Sequence, residues 1–172
     1  MDLNQFKLVP ATLDDYPIIQ NMGRFYVYDM SEYVKDGDWA IPQNGLYECI
    51  DFKKYWLDEN AWPFLIHYQQ ELAGFVIVDK KGADPKTDYN MAQFFILRRF
   101  KGQGVGKHIA KMCFNQFKGR WEVMVIPNNS GAYQFWKRTI KEYSTGKYTE
   151  SKETVAHFSH SEKMILRFSS EI

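Results

Sequence analysis

The sequence predicts an α/β protein, with α+β character. The expectation is one central mixed sheet of about seven strands flanked by about four helices. Three observations predict it. The β-rich runs "WPFLIHYQ" and "ELAGFVIVDK" are separated by a short polar turn and read as a hairpin. Further on, apolar runs alternate with amphipathic segments, in the order strand, helix, strand, helix, strand. The chain has 172 residues, of which 45% are apolar and 17% aromatic, enough for one domain with a real core.

"FKLVPAT" reads as a first strand. A helix follows, with Asp14 or Asp15 as its cap and Pro17 in its first turn. Ile18, Met22, Phe25 and Tyr26 supply its helical spacing. "KDGDWAIPQNG" is a loop by composition, and "DFKKYWLDENA" reads as a second helix. After the hairpin and the loop "KGADPKTD", "YNMAQFFILRR" is a strand whose run Phe94–Leu97 implies cover on both faces. In "GVGKHIAKMCFNQFKG", Val105, Ile109, Met112, Cys113 and Phe117 form one stripe, with Lys107, Lys111 and Lys118 facing away. "RWEVMVIP" is a strand. "NNSGAYQFWKRTIKEY" is a helix with an Asn or Ser cap, and Ala132, Trp136, Thr139, Ile140 and Tyr143 line one face. "KYTESKETV" and "EKMILRF" close the chain as strands.

The net charge of +1 argues against a nucleic-acid partner. Cys49 and Cys113 make neither a disulfide framework nor a zinc site, which fits a reducing, cytoplasmic setting. The N-terminus lacks the pattern of a signal peptide, and no apolar run approaches the roughly 18 residues of a membrane span. The four histidines (67, 108, 157, 160) show no metal-ligand spacing, so no metal is expected.

The chemistry is expected around "FFILRRFKGQGVGKHIAKM". Gly102, Gly104 and Gly106 lie where a strand gives way to a helix, flanked by Lys101 and Lys107, with Arg98 and Arg99 nearby. Glycines let backbone amides approach a ligand, and the free N–H groups of a helix N-terminus favour an anion such as a pyrophosphate. Two common nucleotide motifs fail on spacing. Gly102 and Gly106 enclose three residues rather than the four of a P-loop, and His108 stands where that motif needs Ser or Thr. The pattern G-x-G-x-G also differs from the dinucleotide G-x-G-x-x-G. A glycine-rich turn with no ligand is the bland alternative.

"KGQGVG" resembles the acyl-CoA motif of the GNAT superfamily of N-acetyltransferases, Arg/Gln-x-x-Gly-x-Gly/Ala, with Lys101 in the first position. Asn129, Ala132, Phe135 and Trp136 resemble that family's Asn-x-x-Ala-x-x-Phe-Tyr. The two motifs stand one helix and one strand apart, as in the family. "YVYDMSEYV", "NGLYECIDFKKYW" and "AGFVIV" are similar to a group of predicted bacterial acetyltransferases of unassigned substrate. The resemblance implies one GNAT domain over 1–172, with acceptor-side helices in 1–62 and the acetyl-CoA core in 87–143.

The same resemblance implies that acetyl-CoA lies where the fourth and fifth strands splay. The pyrophosphate would sit on amides of Gln103, Gly104, Val105, Gly106 and Lys107, beside Lys101 and Gly102. The pantetheine arm would run along Phe95, Ile96 and Leu97, with Asn129 and Trp136 as further contacts. A primary amine, of a small molecule or peptide, would attack the thioester directly, in a monomer or homodimer. Trp136 stands where the family often has a tyrosine that protonates the leaving thiolate. An indole is not a proton source, so Tyr133, Tyr143 or no protein acid would take that role. As the base, Asp88 is the one acid among Asp88, Asn90 and Gln93. Glu48 and Asp29 are further candidates. Tyr26, Tyr28 and Trp39 are expected in the acceptor pocket. Transfer of a longer acyl group, or acyl-CoA binding without catalysis, are the competing readings.

Overall fold

The computed structural model describes residues 1–34, 43–47, 49–156 and 161–171. In chain order they form β1 (Phe6–Pro10), α1 (Tyr16–Ser31), β2 (Ala61–Tyr68), β3 (Glu71–Asp79), β4 (Tyr89–Ile96) and α2 (Val105–Gln116). Then come β5 (Arg120–Val125), α3 (Ser130–Tyr143), β6 (Tyr148–Val155) and β7 (Ser161–Ser169). The strands build one seven-stranded sheet in the order β1-β2-β3-β4-β5-β7-β6. Only β4 and β5 run parallel; every other neighbouring pair is antiparallel.

Alternation along β4 divides its side chains between two cores. Met91 and Ile96 join Val105, Ile109 and Phe114 of α2 and Trp136 and Ile140 of α3. Phe95 faces the other way, onto Ile19 and Met22 of α1 and onto Phe52 and Tyr55. This is the two-sided cover that the apolar run of β4 predicts. The stripes expected on α2 and α3 are found, with Val105, Ile109 and Cys113 fully buried and Trp136, Thr139 and Ile140 facing inward.

Two expectations are corrected. The described residues contain three α-helices, not about four. "DFKKYWLDENA" makes a single 3-10 turn, Phe52–Tyr55, whose start is capped by Asp51 accepting from Lys53 N at 2.9 Å. The turn goes no further because Asp58 bends the chain back, its Oδ1 accepting from Asn60 N at 3.0 Å. On α1 the inward stripe is Ile19, Met22 and Tyr26, and Phe25 is 62% exposed. The N-terminal cap of α1 is also more elaborate than one residue. A 3-10 turn at Leu13–Asp15 precedes the helix, and the Asp15 carboxylate reaches back to accept from Thr12 N at 2.8 Å.

Candidate active site

The sheet is opened at β4 and β5. Their parallel pairing is limited to Tyr89↔Trp121 and Asn90↔Glu122. From Met91 onward β4 keeps its β3 partner but has no partner on the β5 side. A bulge marks the parting. Ile77 pairs with Gln93 and Val78 with Met91, leaving Ala92 unpaired. Leu97 N–H donates to Ala73 O at 2.8 Å. Antiparallel alternation therefore turns the peptide groups of Phe94 and Ile96 to the open side. These buried-strand donors and acceptors need partners that the sheet does not supply.

At the outer end of this wedge the chain makes the glycine loop. Phe100 is 1% exposed and packs on Phe6 and Tyr68, which fixes the loop to the sheet. Gly102 and Gly104 have φ of 79° and 80°, the left-handed region that glycine enters without a Cβ clash. A side chain at Gly102 would meet nothing within 4 Å, so the backbone there faces open space. Gly106 serves packing instead: its Cβ would lie 3.2 Å from the Phe135 ring, which draws the start of α2 against α3. The first hydrogen bond of α2 is His108 N–H to Gly104 O at 3.1 Å. The amides of Val105, Gly106 and Lys107 precede it and have no acceptor within the helix. Together with the helix dipole they form an anion cradle.

The cations around the cradle are paired with carboxylates. Arg98 and Lys101 reach Asp29 of α1 at 2.6 and 3.0 Å. Lys107 and Lys111 reach Glu142 of α3 at 3.1 and 2.6 Å. Burial works to raise the Asp29 pKa, but hydrogen bonds from Arg98 and Lys101 outweigh it and hold the carboxyl below its ordinary range. The last turn of α1 and the residues just after it also touch the far lip of the wedge. Asn128 Nδ2 donates to Tyr33 O at 3.5 Å, and Asn129 Nδ2 points at Met30 Sδ, 3.9 Å away. Asn129 Oδ1 meanwhile caps α3 by accepting from Ala132 N at 2.9 Å.

A splayed parallel pair, a bulge at the parting and a glycine cradle in line with it are one constellation. Residues 26–140 match the model of the acetyltransferase (GNAT) family. The chain belongs to that family, and is an acyltransferase. No curated protein sequence matches it. Among solved structures, an acetyltransferase from Thermus thermophilus superposes with a TM-score of 0.66 at 15% identity, covering 98% of this chain and 99% of that one. A ribosomal-protein alpha-N-acetyltransferase in complex with coenzyme A gives 0.60 at 15% identity, with 96% and 94% covered. A nourseothricin acetyltransferase gives 0.57 at 14% identity, with 96% and 99% covered. These likenesses establish the shared fold.

In this GNAT chain the residues singled out from sequence do not all meet at the wedge. The cradle residues 101–107, Ile96 and Asn129 border it, whereas the peptide groups of Phe95 and Leu97 face β3. Trp136 is 6% exposed and packs its ring on Phe94, Phe135 and Phe114, so it is a core residue behind the wedge. Tyr133 is turned to the edge strand β6, its hydroxyl donating to Glu150 at 2.7 Å. That hydrogen bond, with burial, raises the phenol pKa. Tyr143 lies at the far end of α2, donating to Asn115 Oδ1 at 2.9 Å. Asp88 stands at the closed end, where its Oδ2 accepts from Arg120 N at 2.8 Å and fixes the start of β5. Tyr26 packs on Phe75 and Phe95 in the α1 core, and burial pushes its phenol up to about 12. Tyr28 is 57% exposed and rests against Tyr47 on the outside of α1. Trp39 and Glu48 lie outside the described residues.

Sequence reasoning missed a buried polar group on the α1 face. Asp79 Oδ1 accepts from Asn90 Nδ2 at 2.9 Å, and Gln93 Nε2 donates to Tyr55 Oη at 3.0 Å. Asp79, Asn90, Gln93 and Tyr55 are each less than 9% exposed. A signal was present: Asp79 is the one acid in the strand run "LAGFVIVD". Its meaning depends on the antiparallel register that sets it opposite Asn90.

Proposed function

We propose that this protein transfers an acetyl group from acetyl-CoA to a primary amine by direct attack. One observation carries the reading: the free amides of residues 105–107 and the unpaired β4 edge lie end to end along a single opening. That layout suits a pyrophosphate followed by an extended, hydrogen-bonding arm. Acetyl-CoA, when bound, supplies the activated thioester. The chain's own residues do the rest. The amides of Gln103 to Lys107 hold the diphosphate, with Lys107 released from Glu142 to follow it. The peptide groups of Phe94 and Ile96 bind and orient the pantetheine. A peptide N–H at the Ala92 bulge would steady charge growing on the reacting carbonyl oxygen. Alignment of amine and thioester supplies much of the remaining rate.

The leaving thiolate needs no acid from the chain. Trp136 offers none, and Tyr133 and Tyr143 are bonded elsewhere. Thiols are far stronger acids than alcohols or amines, so a thiolate leaves without strong assistance. The acceptor side is the face carrying α1 and the turn Phe52–Tyr55.

Acetyl-CoA at millimolar concentration should raise Tm, because it binds the native state alone. A panel of glycinamide, spermidine, N-α-acetyl-lysine amide and short peptides with free N-termini should then show free-thiol release. No shift with either acetyl-CoA or CoA rejects the cofactor assignment. A shift with no thiol release from any amine would make the protein an acyl-CoA-binding domain instead.

A further inference from the structure

We propose that Asp79 is the general base of this transfer, taking the amine proton through a water held between its carboxylate and Asn90 Oδ1. The inference rests on the acetyl-transfer reading above and names the proton acceptor that reading lacks. Three observations carry it. Asn90 is the last residue of β4 paired with β5, so it stands at the apex of the wedge. Its Oδ1 is buried and has no donor among the described residues, although its Nδ2 is bonded to Asp79. Asp79 accepts through Oδ1 from both Asn90 and Lys81 N, at 2.9 and 3.0 Å, while Oδ2 accepts from no described residue. Asn90 Oδ1 and Asp79 Oδ2 are thus two acceptors without a described donor, on side chains joined by the Asn90–Asp79 hydrogen bond. A water that donates one hydrogen to each presents its own lone pair to an amine N–H.

The other carboxylates near the sheet are occupied. Glu122 accepts from Ala83 N, Asp84 N and Arg167 Nε at 2.6, 3.1 and 2.7 Å. Asp29 is held by Arg98 and Lys101, and Asp88 by Arg120 N. The groups facing Asp79 are Asn90 from β4, Lys81 from the next loop, and Lys54 and Tyr55 from the 3-10 turn. Asp58 adds its charge from beyond Lys81, to which it is bridged at 2.6 Å. Burial raises the Asp79 pKa against the hydrogen bonds from Asn90 and Lys81 and the charge of Lys81. A raised carboxylate is a better base.

The balance is simple. The amine nitrogen bonds to the acetyl carbon, the carbon–sulfur bond breaks, and its electron pair leaves on sulfur. The nitrogen proton passes to the water, whose own proton passes to Asp79. Asp79 returns it to solvent, and the thiolate takes a proton from solvent.

Asp79→Asn keeps an Oδ1 for Asn90 and Lys81 N and removes a buried charge. Its Tm should be no lower than wild type at pH 7, and its acetyl-CoA shift should be unchanged. With the fastest acceptor of the amine panel, kcat/KM at pH 7 should fall at least about 100-fold. The part of the acid limb that lies below the amine's own ionisation should disappear. Asn90→Asp places a second carboxylate beside the first, so its acid limb should move to higher pH. Asp79→Asn with kcat/KM within twofold of wild type and an unchanged profile overturns the assignment. Should that variant not fold, an Asn90→Asp limb that stays in place overturns it equally. A wild type that binds acetyl-CoA but acetylates no amine removes the reaction Asp79 would serve, and the assignment with it. A wild type that does not bind acetyl-CoA rejects the functional reading itself.

Discussion

Gly104→Val tests the anion cradle most directly. Gly104 has φ of 80° and precedes the first residue of α2. Space is not the obstacle, since the nearest atom to an added Cβ is Leu3 Cδ1 at 3.9 Å. The obstacle is the backbone: an L-residue held in this region costs about 1–2 kcal/mol, and a β-branched one more. For a chain of this size about 1 kcal/mol corresponds to roughly 2–4 °C in Tm. The variant should therefore melt about 2–8 °C below wild type and remain folded. Acetyl-CoA at 100 times its Kd stabilises by about 2.7 kcal/mol, or roughly 5–11 °C by the same conversion. Wild type should show that rise in differential scanning fluorimetry. Gly104→Val should show almost none, because the strain is relieved by turning the Gln103–Val105 amides out of line and the valine methyls stand over them. Gly106→Ala is the control: its backbone is helical, and only the Phe135 ring, 3.2 Å from the new Cβ, has to move. Full retention of the acetyl-CoA rise in Gly104→Val would refute the placement of the pyrophosphate on this loop.

Three further outcomes are expected. Tyr133→Phe and Tyr143→Phe should each keep kcat within about threefold of wild type, because their hydroxyls serve Glu150 and Asn115; a loss of 100-fold in either would return that tyrosine to the chemistry. Asp29→Asn should tighten acetyl-CoA binding by isothermal titration calorimetry, since it frees Arg98 and Lys101 and removes a negative charge from beside the cradle; weaker binding would make Asp29 an organiser of the loop instead. Glu153 is held down to about 2 by Arg167, with help from Ser151. A depressed carboxylate stabilises the fold above its unfolded pKa, about 4.3, and loses that contribution as pH falls toward 2. Glu153→Gln should therefore flatten the fall in Tm over that acid range, with a small effect because the side chain is partly exposed and screened; an unchanged acid transition would remove the pair from the account.

The sheet, α2 and α3 were legible because their information is local. Val105, Ile109 and Cys113 recur at helical spacing, and the β2–β3 turn is short. The cradle was legible for the same reason: Gly102 and Gly104 state their backbone conformation in the sequence. What failed was anything set by partners distant in the chain. "DFKKYWLDENA" is the local exception: it has helical spacing at Phe52 and Tyr55, but the Asp58 carboxylate takes the Asn60 N–H and only one turn forms. Tyr133 and Tyr143 stand on the predicted helix at the predicted positions. Which way their hydroxyls point is decided by β6 and by the end of α2, and neither is adjacent in sequence. Asp79 was missed because its significance comes from strand register opposite Asn90, which no local pattern carries.

The paired cations around the cradle bear on how selectivity arises. Arg98, Lys101, Lys107 and Lys111 could have offered an open basic patch, to which any polyanion would bind. Asp29 and Glu142 neutralise them from two different helices, one on each side of the wedge. What remains unpaired is geometric: amides in the first turn of α2 and peptide groups along β4. An anion lacking an extended hydrogen-bonding arm can use the first set and not the second. A ligand with both must displace carboxylates to gain the lysines, and it gains them only once its phosphates are seated. That displacement would loosen the end of α1 and the residues just after it, which span both lips through Asp29, Met30 and Tyr33. On the proposed function, cofactor binding and access to the α1 face would thereby be coupled through side chains already in contact. By linkage an acceptor that favours the displaced α1 must in turn favour cofactor binding, and to the same degree.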